Sequence, residues 1–174
     1  MTSYSCAVLT TSDRGSRGER TDTSGPALRE LLTAQGFRVA AHDLVPDRIE
    51  EIRRVILAWV DIQKIDLVVI TGGTGLTPGD VTPEATRPVL DREIPGMAEA
   101  MRAASLRQTP HAMMSRGVTG SRGQSLIINL PGSRKAALEN IKVLLPCLAH
   151  ALDKIKGSTE DCQSSRPTEE HDNL

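Results

Sequence analysis

Short apolar runs alternate along this chain with stretches whose apolar residues recur every three or four positions. The runs "SCAVLTTS" (5–12), "FRVAAHDLVP" (37–46), "IDLVVI" (65–70) and "SLIINL" (125–130) have strand length. Between them lie helical patterns. One starts near Ser24, with Pro26 in its first turn, and stops at Gly36. A second covers 48–62, where Ile49, Ile52, Ile56, Trp59 and Val60 form a stripe that predicts core, Trp59 included. Thr82-Pro83-Glu84 reads as a helix start, with Thr82 as the cap, and another helix is expected from Pro95 to Arg107. The last opens near Ser133 and carries Leu138, Ile141, Leu145, Leu148, Leu152 and Ile155; Pro146 is expected to kink or split it.

Residues 65–70 are apolar on both faces, as in a central parallel strand. Strands alternating with helices predict an α/β fold, a mainly parallel sheet sandwiched between helices. Such folds bind ligands outside the carboxyl ends of their strands. Three polar, glycine-bearing segments fall there, 12–25, 71–80 and 131–133, and they should converge on one edge. Segments 13–25 and 110–124 read as loops, and the polar residues after Gly157 as a disordered tail.

The 174 residues suffice for one domain. A net charge of -1 argues against a general binder of nucleic acid or anionic membrane, and three aromatic residues (Tyr4, Phe37, Trp59) offer no platform for stacking bases. Cys6, Cys147 and Cys162 lack metal or redox spacing; the first two sit in apolar runs and are expected to be buried. With no signal peptide or transmembrane-length stretch, the expected location is cytoplasmic.

The densest chemistry is "ITGGTGLTPGD" (70–80), four glycines after a buried strand. It is not a Walker A loop, because no lysine is near, and Pro78 stands where a dinucleotide fingerprint needs glycine. Clustered glycines predict positive φ angles or a ligand pressed against the backbone, whose N–H groups can cradle an anion. Asp80 would repel a phosphate unless a magnesium ion lay between them. The plain alternative is a tight strand-to-helix turn with Asp80 as its turn-former. "NLPGSR" (129–134) is equally two-sided: Gly132 and Ser133 suit an anion at a helix N-terminus or a simple cap. Arg116 and Arg122 offer phosphate partners in a long connection, or face solvent. The four histidines lie in unrelated contexts and no G-x-S-x-G elbow is present, so a nucleophile belonging to the substrate would suit this chain.

The stretch "ITGGTGLTPGDVTPEAT" (70–86) resembles the signature of the molybdenum-cofactor biosynthesis fold. With "LTTSDRGSRGERTDTSG", "LVPDRIEEI", "REIPGMAEAMRAASL" and "TPHAMMSRGVTGSRGQSLIINLPGS", the chain is similar to the molybdopterin adenylyltransferases, which include the G domain of gephyrin. The likeness spans about residues 4–157; the domain is taken as 1–157 and the tail as 158–174.

The resemblance implies a three-layer α/β/α sandwich that forms homotrimers. It implies transfer of AMP from Mg-ATP to the terminal phosphate of molybdopterin, with pyrophosphate released and a molybdenum insertase downstream. Carried onto this sequence, Gly72, Gly73, Thr74 and Gly75 would wrap the nucleotide phosphates, with Asp80 and Glu84 organising Mg2+ or nucleotide. Ser115, Arg116, Pro131, Gly132 and Ser133 would complete the nucleotide pocket. Ser12, Asp13, Asp22 and Asp47 would line the pterin side, and Asp47 joins Asp80 as catalytically important. Relatives often carry arginine just before the loop aspartate; here it is Gly79, leaving Arg116 or Arg122 to supply charge near the pyrophosphate. The competing reading is a non-catalytic molybdopterin-binding or scaffold module of the same fold.

Overall fold

The structure is a computed structural model, described here for residues 4–159. Six strands form one sheet: β1 (Ser5–Thr11), β2 (Arg38–Val45), β3 (Leu67–Thr71), β4 (Arg92–Glu93), β5 (Thr119–Arg122) and β6 (Ser125–Leu130). Their order is β2-β1-β3-β6-β5-β4. The first four in that order run parallel, and β5 and β4 continue the sheet antiparallel. The helices are α1 (Asp13–Ser16), α2 (Ser24–Ala34), α3 (Ile49–Leu57), α4 (Thr82–Thr86), α5 (Pro95–Leu106) and α6 (Arg134–Ile155).

Period-two alternation in the central strands divides the core into two layers. Cys6, Val8, Leu67, Val69, Leu126 and Ile128 pack under α2, α5 and α6. Ala7, Leu9, Val68, Ile70 and Ile127 face the opposite side, against Ile52, Ile56 and Trp59 of the α3 region and Ala85 of α4. This is the expected three-layer α/β/α sandwich. The chain moves from β1 outward to β2, then crosses back over β1 to β3, so a topological switch point lies between the carboxyl ends of β1 and β3.

Several local expectations change. Residues 13–25 are not all loop: Ser12 caps the single turn α1, its Oγ accepting from Gly15 N–H at 3.0 Å. The 48–62 helix ends as α3 and continues through a wider π turn, Ala58–Ile62, with Trp59 buried as expected. The connection 110–124 contains a 3₁₀ turn, Pro110–Met114, and strand β5. Strand β5 reads "TGSR", with no apolar residue to betray it, and is made by hairpin pairing with β6. Thr82 is not the cap of α4 but lies inside it, fully buried, its hydroxyl 3.1 Å from that of Thr11.

Pro146 does not split α6, which runs unbroken for 22 residues. Pro146 and Lys142, whose carbonyl loses a partner to the proline, are both exposed, so water can replace the missing bond. Cys6 is buried, and burial pushes its thiol up to about 11. Cys147, by contrast, is exposed on the outer side of α6, where its thiol bonds the Leu144 carbonyl. Cys162 and most of the 158–174 tail lie outside the described residues. No described helix is long and apolar enough to cross a membrane.

The amino edge of the sheet is closed by a polar network. Asp66, just before β3, accepts from Ser5 N–H and Ser5 Oγ–H, each at 2.7 Å, and pairs with Lys156 beyond the end of α6. Burial pushes the Asp66 carboxyl up, but Lys156 and Ser5 outweigh it and leave it below the ordinary range. The Lys156 ammonium sits 5.1 Å from the centre of the Tyr4 ring, and the Tyr4 hydroxyl bonds Asp153. That bond, followed by burial, pushes Tyr4 up to about 12.

Candidate functional site

At the carboxyl edge the three glycine-bearing segments do converge. Two clefts open there, of about 300 Å³ and 370 Å³, and they share Gly73 and Gly132. The first lies over β1 and includes Ser12, Asp22, Asp47, Gly72 and Ser133. The second lies between the glycine loop, α5 and α6, and includes Thr74, Gly75, Asp80, Ser115 and Pro131.

The glycine loop owes its shape to two residues. Gly72 (φ 108°) and Gly73 (φ 60°) occupy conformations that side chains rarely adopt. A Cβ at Gly72 would collide with the Thr11 carbonyl, and one at Gly73 with the Thr82 hydroxyl. Gly75 and Gly79 have no positive φ, and nothing lies within 4 Å of a Cβ built at Gly79. Of the four clustered glycines, the first pair thus adopts the positive φ angles that the sequence predicts. The Gly72 N–H is used by Leu130 O at 3.2 Å. The N–H groups of Gly73, Thr74 and Gly75 find no acceptor among the described residues.

The second loop is tied to the first. Thr71 Oγ donates to Pro131 O at 2.7 Å, Ser24 Oγ donates to Gly132 O at 2.9 Å, and a Cβ at Gly132 would press on Gly72 at 3.2 Å. Ser133 is the cap of α6, its Oγ accepting from Ala136 N–H at 3.2 Å. The plain reading of that side chain is correct, while the helix N-terminus itself opens on the first cleft.

Asp47 and Asp13 hold one another's backbones. Asp13 N–H donates to Asp47 Oδ2 at 2.9 Å, and Asp47 N–H donates to Asp13 Oδ1 at 3.1 Å. Asp47 Oδ1 is buried beside Gly73 with no hydrogen-bond partner. Burial raises the Asp47 carboxyl above its ordinary range, and the charges of Asp13 and Asp80 add to this against the lowering pull of the Asp13 N–H and the nearby Thr11 hydroxyl. Asp22 is different: Thr10 Oγ–H, Ser24 N–H and Gly25 N–H all donate to it, so its carboxylate builds the entrance to α2.

Asp80 closes the turn 77–80. Its Oδ2 accepts from Thr77 N–H at 2.8 Å and Thr77 Oγ–H at 2.6 Å, while no described donor reaches Oδ1. Glu84 and Arg116 do not line either cleft. They pair with each other behind the loop, and Arg116 also donates to the carbonyls of Gly75, at 2.7 Å, and Asp80. The guanidinium holds the Glu84 carboxyl below its usual range. Arg116 thus clamps the loop with its charge already compensated. Arg122 is at the other edge of the sheet, where Asp61 accepts two of its N–H groups at 2.9 and 2.8 Å. It cannot supply the charge expected near the loop, because β5 runs antiparallel and carries it away.

Sequence reasoning missed Thr11 and Thr82, whose hydroxyls meet beneath Gly73. It also missed Arg102 and Asn140 in the second cleft. Buried threonines at a strand end ("LTTS") and in the first turn of a helix ("DVTPE") were the available signal. Among the described residues no group of three or more His, Cys, Asp or Glu side chains is placed to hold a metal ion by itself.

This fold and site define a doubly wound α/β domain whose clefts pair free backbone N–H groups with carboxylates. The chain belongs to the family described as "Probable molybdopterin binding domain", which it matches over residues 7–150. It is 46% identical over 158 residues to gephyrin of Dictyostelium discoideum, covering 85% of this chain but only 22% of that protein's length. It is 39% identical over 153 residues to a molybdopterin adenylyltransferase of Helicobacter pylori, covering 87% of each. The crystal structure of the molybdopterin biosynthesis enzyme MoaB from Thermus thermophilus superposes with a TM-score of 0.85 at 52% identity, over 89% of this chain and 98% of that one.

Proposed function

We propose that this protein acts in molybdenum cofactor biosynthesis as a molybdopterin adenylyltransferase, passing AMP from ATP to the terminal phosphate of molybdopterin. The observation that carries this reading is the junction of the two clefts at Gly73 and Gly132, with Asp47 on one side and Asp80 on the other. Relatives of nearly the same length named for this activity support it.

In this reading the first cleft takes the pterin and the second the nucleotide. A terminal phosphate oxygen of molybdopterin attacks the α-phosphorus of ATP at the junction. The new P–O bond forms as the bond to the β-phosphate bridging oxygen breaks, and pyrophosphate leaves with that electron pair. No protein nucleophile is needed; the chain has only to position two anions and offset their charge. The free N–H groups of Gly73, Thr74 and Gly75 donate to the nucleotide phosphates, and the α6 N-terminus at Gly132 and Ser133 faces the attacking phosphate. Ser12 and Asp47 present acceptors to the pterin N–H donors, and Asp13, which does not line the cleft, holds Asp47 in place. Asp22, Glu84 and Arg116 act through the loops they hold, and Ser115 and Pro131 form walls of the nucleotide cleft.

The donor set fits a magnesium ion bound together with substrate phosphates. Asp80 Oδ1 lacks a donor, and Asp47 Oδ1 is buried without one in a field of like charge. One or two carboxylates plus phosphate oxygens is the coordination this ion prefers. Asp80 would hold it, with Asp47 facing it, and the ion would supply neutralisation of the phosphate charge.

The test is to incubate the protein with molybdopterin, ATP and magnesium, then assay adenylylated molybdopterin and pyrophosphate. Stoichiometric formation of both is expected; neither product at high protein concentration refutes the transfer. The turn bonds from Thr77 to Asp80 favour a second reading, a molybdopterin-binding or scaffold module in which Asp80 only shapes the loop. Its mark in the same experiment is bound molybdopterin without product. A molybdenum insertase as the receiver of the product and a homotrimeric assembly belong to this proposal; sedimentation as a monomer alone refutes the trimer.

A further inference from the structure

Resting on the nucleotide reading of the second cleft, we propose that Arg102 receives the β- and γ-phosphates of ATP, and so makes the cleft prefer a nucleoside triphosphate to a monophosphate. The glycine loop ends in Gly79-Asp80, with no cation of its own. Arg116 is neutralised by Glu84 behind the loop, and Arg122 is bound to Asp61 at the far edge of the sheet. Among the described residues lining the second cleft, Arg102 is the one permanent cation.

Arg102 is half-buried on α5, on the side of the cleft across from the glycine loop. Its guanidinium donates once, to the Gly117 carbonyl at 3.1 Å, which fixes its reach, and no acidic side chain pairs with it among the described residues. The remaining N–H groups of the fork are left for a ligand, and a guanidinium matches two phosphate oxygens at once. Arg102 also lines a neighbouring cavity together with Ser115, Arg116 and Gly117. An arginine held by a neutral carbonyl keeps its full charge for an anion, whereas one paired to a carboxylate does not.

The test compares binding of ATP and AMP by calorimetry, in magnesium, to the wild-type protein and to Arg102→Gln and Arg102→Lys. Glutamine can keep the bond to Gly117 while removing the charge. Expected for Arg102→Gln is a loss of about 10- to 100-fold in ATP affinity with AMP affinity changed less than about twofold, and partial recovery in Arg102→Lys. Equal losses for ATP and AMP would show a structural role and overturn the proposal, as would no loss for either. A measurement on the wild-type protein is independent of variant folding: inorganic pyrophosphate should displace ATP and leave AMP bound. Displacement of both, or of neither, overturns it. Absence of ATP binding to the wild-type protein would defeat the nucleotide reading itself. The expected binding pattern without any adenylylated product would leave Arg102 standing and remove only the transfer.

Discussion

The two edges of the sheet are built from the same kinds of residue and end in opposite states. At the amino edge, Asp66 is surrounded by Ser5 and Lys156, and Ser125 Oγ donates to Ile65 O at 2.6 Å. At the carboxyl edge, Asp47 is half-buried with its inner oxygen unpartnered, and three consecutive N–H groups lack acceptors among the described residues. Both sites half-bury an aspartate, yet the Asp66 carboxyl lies below its ordinary range and the Asp47 carboxyl above it. Burial opposes ionisation in both, so the difference is whether the fold itself provides the compensating donors and cation. Where it does, the aspartate stabilises the fold. Where it does not, the carboxylate and the N–H groups stay open to a partner from outside the chain, water or ligand.

The largest expected effect follows from removing charge at the incomplete edge. In Asp80→Asn the amide can still accept from Thr77 and keep the turn, but it is a poor partner for a cation. Turnover should fall by roughly 10²- to 10³-fold, with molybdopterin affinity unchanged by equilibrium titration. A variant that turned over normally would reduce Asp80 to a turn residue and erase the contrast between the edges.

Stability should respond in opposite directions at the two edges. Asp66→Ala leaves Ser5 N–H and Lys156 without their partner and should cost about 2–3 kcal/mol in denaturant unfolding. Because the folded carboxyl of Asp66 is depressed, its contribution is present above the unfolded value near about 4 and is lost as pH falls through the folded one. The Asp47 carboxyl is raised, so its penalty is absent in acid and becomes complete once pH has risen through its folded value. Asp47→Asn should therefore raise the Tm at neutral pH while lowering turnover, and the gain in Tm should vanish in acid. A loss of stability from Asp47→Asn at neutral pH would mean that the fold already satisfies this carboxylate.

Much of this contrast could be read from the sequence, and the exceptions have physical reasons. The strands β1, β3 and β6 are apolar on both faces, and their carboxyl ends carry the glycines and acids, so the fold and the location of the site were legible. Strand β5 was not, because four small or polar residues acquire strand structure only by pairing with β6. Nor was the fate of the charged residues. The sequence places Arg116 and Arg122 in a long glycine-rich connection, but partner choice across the fold neutralises both. Arg102 went unnoticed because it stands on an ordinary helix, and only the folded chain shows that no described acidic side chain pairs with it.

The smallest effect bears on Gly79, the position before the loop aspartate. The structure gives no steric reason for glycine there: its φ is not positive and a Cβ would meet nothing within 4 Å. An arginine therefore fits without strain, and its exposed guanidinium would reach solvent near the nucleotide cleft. Such a charge contributes about 0.2–1 kcal/mol, which corresponds to ATP binding tighter by about 1.4- to fivefold in Gly79→Arg at low salt, with the gain fading as ionic strength rises. In Arg102→Gln the same substitution should recover part of the lost ATP affinity, since both cations would act on the phosphate tail. If Gly79→Arg left ATP affinity unchanged in both backgrounds, the phosphates would have to lie away from residue 79, and the second cleft would hold the nucleotide in the reverse direction.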